Sequence, residues 1–558
     1  MNAVIPQPGR QDAAAPGPGP HAKGPWRIHA ADDRLTAMAG TVRTLLEPHL
    51  GNRTDTPAAT LTLALDETLG PHGRTVGVAP CGAAEPVDES YRLTVTGSGI
   101  TCLAATPTGV FRAVATALQL IATSTGPIPC QELCDAPRFA WRGLLIDPAR
   151  HHLTPGEVRR VIDLAALYKL NVLHLHLTDN EGWRLEIPGT PGLTAAGPDG
   201  SPRGFYTAED YRALQRYAAE RFVTVVPEID LPGHCATLRE ALPGLPDAPA
   251  PEGLKGRFPY VPPLDLADPG TREAVASVLA DVCRLTDGPF VHVGGDEAVG
   301  ATPDSFAHAI RELRSLVRES GKRPLAWQES SRAGIGPDDI AQYWVDVPMM
   351  DLPDTPEELA GRPELLAAGH TPELIAALKR FFAPSDHDLS RVLEGGGRVL
   401  LSPQSHLYLD RAYAPEVVPP AQAPTAARVG FPAYRPHGVR HTAAWDPASH
   451  AIPDDRVAGV EATVFGESVE GFDDVTVLLL PRLPSVAAAA WAGRAPRWDD
   501  HRVRVARHAR LWQQRGLTYL ASTEIPWDEP DSDGARAQPP PGRTPGRTSP
   551  SGPPDTDA

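Results

Sequence analysis

Eight short runs of apolar, largely β-branched residues alternate with helical patterns from residue 139 onward, and no other feature constrains the fold of this 558-residue chain as strongly. The runs are RGLLIDPAR, NVLHLHLTD, FVTVVPEID, FVHVGGDE, RPLAWQES, IAQYWV, RVLLSPQSH and GVEATVFGE. Near-continuous apolar runs suit strands covered on both faces, and helical segments such as PGEVRRVIDLAALYKL supply the crossovers between parallel strands. The sequence therefore predicts an α/β fold in which residues 139–525 form a (β/α)8 TIM barrel.

A smaller unit precedes the predicted barrel. Residues 26–138 contain a helical stretch, DDRLTAMAGTVRTLL, two alternating strand patterns, TLTLAL and YRLTVTG, and an amphipathic helical pattern, TPTGVFRAVATALQLIA. This combination predicts a small N-terminal α/β (α+β) domain without evident chemistry. Residues 1–25 and 526–558 are rich in Pro and Gly, and such segments bury too little apolar surface to order a chain. Both ends are therefore predicted to be disordered tails.

Composition excludes several classes of function. The formal net charge is −17 and no cluster of Lys and Arg appears, which argues against a nucleic-acid partner because phosphate contacts require such clusters. No apolar run reaches the roughly 18 residues of a transmembrane span, so no membrane partner is expected. The first residues lack the basic start and apolar core of a signal peptide. We expect a cytoplasmic protein, with export by another route left open.

Polar side chains mark the end of the predicted barrel strands. The apolar runs lead into Asp, Glu, His, Trp or Arg at their carboxyl edges. Barrel enzymes build their active sites at this face, from the ends of several strands. Carboxylates are costly to bury unless they are paired, so a purely structural protein has little reason to collect them there. The pattern predicts an enzyme active site.

The sharpest motif is His292-Val293-Gly294-Gly295-Asp296-Glu297, at the end of the fourth predicted strand. The two glycines let the backbone turn tightly and leave room for a ligand. Adjacent side chains of an extended strand point in opposite directions, so Asp296 and Glu297 can serve one ligand only if the strand bends there. The motif predicts a pair of catalytic carboxylates. Alone, it is equally compatible with an Asp that caps the next helix beside a solvated Glu.

Three further motifs surround this pair in order along the chain. They are Arg142-Gly143-x-x-x-Asp147-x-x-Arg150, Leu177-Thr178-Asp179-Asn180-Glu181-Gly182-Trp183-Arg184 and Pro227-Glu228-Ile229-Asp230-Leu231-Pro232-Gly233-His234. With them the chain resembles glycoside hydrolase family 20, the β-N-acetylhexosaminidases, over roughly residues 26–520. The resemblance implies exo-acting, retaining hydrolysis of terminal β-linked GlcNAc or GalNAc from a small or oligosaccharide substrate, without a cofactor. It implies nothing about the oligomeric state.

The resemblance also implies a role for each catalytic residue. In this family the 2-acetamido oxygen of the substrate attacks the anomeric carbon and forms an oxazolinium-like intermediate. Glu297 would be the general acid and base, and Asp296 would orient the acetamido N–H and stabilise its growing positive charge. Asp179 and His234 would form a relay behind Glu297. Tyr408 would donate a hydrogen bond to the attacking carbonyl oxygen.

The implied substrate-binding residues are Arg150, Trp327, Trp344, Asp410, Phe465 and Glu467. Arg150, Asp410 and Glu467 would bind ring hydroxyls, and Trp327 and Trp344 would enclose the acetamido group. Phe465 is a departure, because the family usually presents Trp-x-Glu where this chain has Phe465-Gly466-Glu467. The smaller ring predicts a looser or shifted wall beneath the sugar.

A second departure is an insertion of helical patterns over residues 347–397, between the sixth and seventh predicted strands. Loops at this position rim the barrel mouth, so the insertion either caps the pocket or forms a dimer contact. The sequence does not decide between them.

Three alternative readings remain at this point. A two-carboxylate retaining glycosidase would use Glu228 or Glu329 as its nucleophile, with Glu297 as the acid. A carbohydrate-binding protein on a dead or weakly active barrel would bind without turnover. A metal site is the third alternative, because six histidines surround the predicted mouth, namely His151, His152, His174, His176, His234 and His292. No third and fourth ligand follows with recognisable spacing, so the residues predict no metal.

Overall fold

The computed structural model describes residues 3–527, apart from 14–16, 51–57, 72, 196–202, 250–260, 347–351, 354, 368–369, 373, 377–378, 380–382 and 433. Within these residues a six-stranded sheet forms an N-terminal domain and eight strands form a closed barrel. The predicted α/β class, with a small domain before a TIM barrel, is confirmed.

The N-terminal sheet has the strand order β1-β6-β4-β5-β3-β2. Its strands are β1 Arg10–Ala13, β2 Trp26–Ala30, β3 Ala59–Leu65, β4 Tyr91–Thr96, β5 Gly99–Ala104 and β6 Gln131–Asp135, and its helices are α1 Thr36–Leu46 and α2 Pro107–Thr123. Strands β2, β3 and β5 are parallel, whereas β1, β6, β4 and β5 pair antiparallel. Helix α2 is buried along nearly its whole length. It packs between this sheet and the helices of the barrel.

The prediction of a tail over residues 1–25 is wrong for the described part of that segment. Val4 and Ile5 are completely buried, and β1 pairs with β6. Gln119 of α2 accepts a hydrogen bond from the Ile5 backbone N–H at 2.7 Å. Composition missed this anchoring because strand pairing uses backbone groups, and because two buried apolar residues suffice to fix a short segment. The predicted C-terminal tail falls almost entirely on residues 528–558, outside the described residues.

All eight predicted barrel strands are present. They are β7 Trp141–Ile146, β8 Val172–His176, β9 Thr224–Glu228, β10 Phe290–His292, β11 Arg323–Trp327, β12 Ile340–Tyr343, β13 Arg398–Leu401 and β14 Val457–Val464. Neighbouring strands are parallel, and β14 closes the barrel by pairing with β7. An apolar layer that includes Trp141, Phe290 and Leu325 fills the amino-terminal end. The interior toward the carboxyl ends is polar, with His174, Glu228, His292 and Glu461 buried there.

Helices enclose and follow the barrel. They are α3 Pro155–Leu167, α4 Ala208–Ala219, α5 Ala236–Ala241, α6 Pro269–Leu285, α7 Pro303–Glu319, α8 Pro356–Ala360, α9 Pro363–Ala367, α10 Asp388–Glu394, α11 Gln404–Leu407, α12 Ala423–Arg428, α13 Val439–Ala443, α14 Phe472–Leu479, α15 Leu483–Ala492 and α16 Trp498–Gln514. Thr154 and Thr207 begin α3 and α4 with capping boxes, which satisfy the first backbone N–H groups. Along the described stretches no single helix has the length and hydropathy of a membrane span. Helices α14 and α15 have that length and hydropathy only when they are taken together, and a 50° bend separates them.

A buried ionic cluster joins the two domains. Glu89 of the N-terminal domain lies 2.6 Å from Arg112 of α2 and 2.6 Å from Arg142 of β7. All three side chains are at most 5% exposed. Arg142, the first residue of the quoted Arg-Gly motif, is therefore a structural residue at the amino-terminal end of β7, away from the carboxyl ends of the strands. The cluster fixes the domain against the bottom of the barrel.

Candidate active site

The Gly-Gly turn after β10 positions the two predicted catalytic carboxylates. Gly294 and Gly295 have φ angles of 71° and 92°, and Glu297 also has a positive φ, of 42°. A Cβ atom on Gly294 would lie 1.7 Å from Oδ1 of Asp230, so only glycine fits there. The bend predicted from the two glycines is present. It places Asp296 beside Asp230 and His234 and leaves the Glu297 side chain 29% exposed.

A relay of charged groups leads to Glu297 from inside the protein. Nδ1 of His234 lies 3.0 Å from Oδ2 of Asp179, and Nε2 of the same ring lies 3.7 Å from Oε2 of Glu297. Burial lowers the pKa of the His234 imidazole, but Asp179 outweighs burial and raises the pKa to about 9. His234 is therefore an imidazolium at neutral pH. Sequence analysis expected this order of residues, and the structure brings all three together.

Asp296 is half-buried beside Asp230 and His234. Its Oδ1 is buried and accepts no hydrogen bond from an N–H group or a hydroxyl group of the described residues, and the Asp230 carboxyl group lies beside it. Burial raises the pKa of Asp296 well above its usual range, and the nearby Asp230 carboxylate adds to the rise. A buried acceptor without a partner costs free energy unless a ligand supplies the donor. Asp296 is thus an acceptor available to an N–H group or a positive charge in the pocket.

Arg150 gathers the carboxylates on the opposite side of the site. Its guanidinium lies 3.0 Å from Asp147, 2.8 Å from Asp179 and 3.9 Å from Glu467. Burial opposes its charge, but these carboxylates raise the pKa of Arg150 well above its usual value. The ring of Phe465 packs beneath the guanidinium at 5.5 Å. This is a fixed cation surrounded by carboxylates.

Asp410 lies close to Glu467, one of the carboxylates around Arg150. It is buried, and its Oδ1 has no hydrogen-bond partner in the described structure. Burial and the neighbouring Glu467 raise the pKa of Asp410 to about 8. A buried oxygen without a donor beside a second carboxyl group suits a ligand hydroxyl, which can donate to one carboxyl group and accept from the other.

Four aromatic side chains form one wall, defined here as Trp327, Trp344, Tyr408 and Phe465. Trp344 stacks on Tyr408 with ring centroids 5.9 Å apart and an interplanar angle of 16°. Trp327 lies against Trp344 and Phe465, each at 6.3 Å, and Tyr408 lies 5.5 Å from Phe465. Phe465 therefore keeps the apolar face expected at this position, without an indole N–H.

Two buried glutamates support this wall from below. Glu228 accepts a hydrogen bond from Nε1 of Trp327 at 2.8 Å, and Glu329 accepts one from Nε1 of Trp344 at 3.1 Å. Both glutamates are 0% exposed. Neither can approach a sugar carbon without leaving its buried position. The geometry therefore disfavours either residue as the nucleophile of a two-carboxylate glycosidase.

Histidines and carboxylates fill the polar layer beneath the site. His176 bridges Glu228 and Asp179 at 2.6 and 3.0 Å, and His174 lies 2.7 Å from Glu461. In the described structure three groups bring His and carboxylate atoms near enough to hold a metal ion: His174, Glu228 and His292; His176, Asp179 and Asp230; and Asp230, His234 and Asp296. Most of these atoms already pair with one another. They support the site as a hydrogen-bonded framework.

The described parts of the 347–397 insertion pack on the aromatic wall. Leu352, Leu359, Leu365 and Ile375 belong to the same apolar cluster as Trp327, Trp344 and Tyr408. At the other end of the insertion, Asp388 pairs with Arg332 at 2.8 Å. These contacts fix the described parts of the insertion against the wall, and the two roles named from the sequence, a cap or a dimer contact, both stay predictions. Residues 347–351, 354, 368–369, 373, 377–378 and 380–382 of the insertion lie outside the described residues.

The sequence-predicted site residues all lie at this face, together with three neighbours, Asp230, Tyr434 and Glu329. Sequence analysis gave Asp230 and Tyr434 no role, and it considered Glu329 only as an alternative nucleophile. Asp230 accepts a hydrogen bond from the Gly295 N–H at 3.1 Å and lies beside Asp296. Tyr434 packs against Tyr408 with centroids 6.0 Å apart. Glu329 holds Trp344. Asp230 could have been found from its position at a strand end, whereas Tyr434 lies in a loop with no recognisable pattern.

Two family models and a curated relative match most of the chain. The family described as "Glycosyl hydrolase family 20, catalytic domain" matches residues 139–494, and "Glycosyl hydrolase family 20, domain 2" matches residues 1–136. A β-N-acetylhexosaminidase of Cellulomonas fimi is 34% identical over 459 residues, which cover 80% of this chain and 83% of that protein.

Solved structures give the same result. An N-acetyl-β-hexosaminidase of Streptomyces plicatus, in complex with Thio-NAglucal, has a TM-score of 0.74 at 28% identity and covers 94% of this chain and 98% of its own. A β-N-acetylhexosaminidase of Streptomyces coelicolor A3(2) has a TM-score of 0.73 at 27% identity, with 94% and 99% covered. Family, sequence and fold together identify a glycoside hydrolase with β-N-acetylhexosaminidase activity. The chain belongs to glycosyl hydrolase family 20.

Proposed function

We propose that the site removes a terminal β-linked N-acetylhexosamine with Glu297 as general acid and base, Asp296 as the partner of the acetamido nitrogen, and the acetamido oxygen as nucleophile. The observation that carries this assignment is Asp296, whose buried Oδ1 lacks a hydrogen-bond donor. A substrate N–H supplies that donor. Glu297, at the exposed mouth, is free to reach the glycosidic oxygen.

In the first step Glu297 gives its proton to the leaving oxygen while the acetamido oxygen bonds to the anomeric carbon. The positive charge that develops on the acetamido nitrogen favours the ionised form of Asp296. In the second step Glu297 takes a proton from water, which adds to the anomeric carbon and reopens the ring. The His234 imidazolium, 3.7 Å from Glu297, stabilises the carboxylate that exists between the first and the second proton transfer.

The aromatic wall binds the acetamido group of the sugar, and the charged residues around Arg150 bind its ring hydroxyls. Trp327, Trp344 and Tyr408 enclose the acetamido methyl, and the Tyr408 hydroxyl donates to the attacking oxygen. Arg150, Asp410 and Glu467 bind ring hydroxyls, with Phe465 under the apolar face of the ring. The cytoplasm remains the proposed location.

Wild-type kinetics on matched aryl glycosides test the proposal. We expect release of 4-nitrophenol from the β-GlcNAc or β-GalNAc glycoside and none from the β-glucoside, which lacks the 2-acetamido group. A thiazoline analogue of the intermediate should inhibit far more tightly than the substrate binds. Turnover of the β-glucoside, or no inhibition by the thiazoline, would contradict the acetamido nucleophile. The rate ratio of the two epimers measures the sugar preference.

A further inference from the structure

Glu329 lies beside the aromatic wall, yet the chemistry above gives it no step. It follows Trp327 by two residues and sits in the 3-10 turn Gln328–Ala333. The side chain is completely buried. Oε2 accepts the hydrogen bond of the Trp344 indole, while Oε1 has no hydrogen-bond partner among the described residues. Burying a carboxyl group with one unpaired oxygen costs free energy, so we expect Glu329 to do more than fill space.

The same turn also fixes the backbone of Trp344. Oε1 of Gln328 accepts hydrogen bonds from the backbone N–H groups of Trp344 and Val345, both at 2.8 Å. Consecutive residues therefore hold the main chain and the indole edge of one tryptophan. Rotation of the indole about its long axis would break the bond to Glu329 and the stacking on Tyr408.

The turn itself is anchored from outside. Asp388, fully buried in the insertion, accepts hydrogen bonds from Ser331 at 3.3 Å and from Arg332 at 2.8 Å. Glu329 thus lies between an anchored turn and the ring it holds. Burial raises the pKa of Glu329 to about 7, consistent with an apolar environment that does not solvate the carboxyl group.

We infer that Glu329 is a positioning residue that fixes the plane of Trp344 and thereby limits the size of the 2-acyl group that the pocket accepts. The inference rests on the proposed function, because the plane of Trp344 matters to catalysis only if the acyl group lies against it. While Glu329 holds the Trp344 indole by a hydrogen bond, the aromatic wall cannot move to admit an additional methylene group. A wall released from Glu329 can turn and admit one, at the cost of looser contact with the acetyl group.

The test compares 4-nitrophenyl β-glycosides of N-acetyl-, N-propionyl- and N-butyrylglucosamine. Glu329→Ala should raise KM for the N-acetyl substrate and raise the propionyl-to-acetyl ratio of kcat/KM, each by about fivefold, the effect of losing one hydrogen bond. Glu329→Gln keeps an oxygen acceptor and should stay near wild type in both values. Glu273→Ala, which removes an exposed carboxylate from α6, is the matched control and should change neither.

An unchanged acyl ratio in Glu329→Ala, or an equal shift in Glu329→Gln, would overturn the inference. Should Glu329→Ala not fold, Trp344→Phe removes the indole N–H and keeps an aromatic face. That variant should shift the propionyl-to-acetyl ratio in the same direction as Glu329→Ala. If Trp344→Phe leaves the propionyl-to-acetyl ratio unchanged, the inference is overturned but the proposed function is not. A wild type inactive on every N-acyl substrate overturns the proposed function and, with it, this inference.

Discussion

Asp179 and His234 form a buried ion pair, with Oδ2 and Nδ1 3.0 Å apart, and the opposite edge of the imidazole faces Glu297. His176 and Arg150 also contact Asp179, so one carboxylate is shared by three cationic or hydrogen-bonding partners. These contacts lower the pKa of Asp179 well below its usual value in spite of burial. The arrangement holds His234 charged and in place.

Replacing Glu297 by Gln should remove acid catalysis, which contributes about 10²- to 10⁴-fold. The loss should be large for poor leaving groups and small for aryl groups that depart as stable anions, because the latter need little protonation. A plot of kcat/KM against leaving-group pKa checks this, and its slope should be steeper for the variant. Parallel slopes would assign the acid role elsewhere.

His234→Asn should change how stability depends on pH. The pKa of His234 is raised from 6.5 to about 9, so its stabilising contribution is complete below about pH 6.5 and is lost as pH rises through 9. A shift of this size corresponds to at most about 3 kcal/mol. The difference in Tm between wild type and variant should therefore shrink from pH 6.5 to 9.5. A constant difference would mean that His234 is not charged in the native state.

Asp296→Asn should lower the activity of the protein and raise its stability. The raised pKa of Asp296 means that ionisation costs free energy, and this cost grows as pH rises above the usual value of 3.8. The variant should therefore exceed wild type in Tm by more at pH 8 than at pH 5. Its kcat should fall by about 10²- to 10³-fold, as for other lost electrostatic groups. Unchanged thiazoline affinity would contradict contact with the acetamido nitrogen.

Phe465→Ala should weaken substrate binding more than it slows chemistry. The Phe465 ring contacts Trp327, Tyr408 and Arg150, all within 6.3 Å by centroid. Partial loss of an apolar contact of this kind should raise KM by about fivefold to tenfold. Steady-state kinetics on the N-acetyl substrate check this. An equal fall in kcat with unchanged KM would mean that Phe465 acts in the transition state.

Glu89→Ala should destabilise the protein without affecting the site. It would leave the buried guanidinium groups of Arg112 and Arg142 without their shared carboxylate. Breaking a buried ion pair from one side costs about 3–5 kcal/mol. Urea unfolding should report this loss, and kcat of the folded fraction should stay at the wild-type value. Glu132→Ala in β6, 40% exposed, is the control and should have little effect.

The barrel could be predicted because its information is local. Apolar runs, helical spacing and polar strand ends each occupy a few consecutive residues, and parallel strands require that their carboxyl ends meet at one face. The bend at Gly294 and Gly295 belongs to the same class, since glycine alone tolerates that backbone and the close approach of Asp230. The order of the motifs then brought Asp179, His234, Asp296 and Glu297 together.

Only the tertiary structure decided the contacts between residues that are far apart in the sequence. The hydrogen bond of Glu329 to Trp344 follows from the register of β11 against β12, and the contact of Asp230 with the Gly295 N–H from that of β9 against β10. The insertion could be seen in the sequence, but its packing on Trp344 and Tyr408 could not. Residues 3–13 were misjudged because backbone pairing with β6 leaves no mark in their composition. Local patterns specify which elements form, whereas the free energy of burial between elements decides which side chains meet.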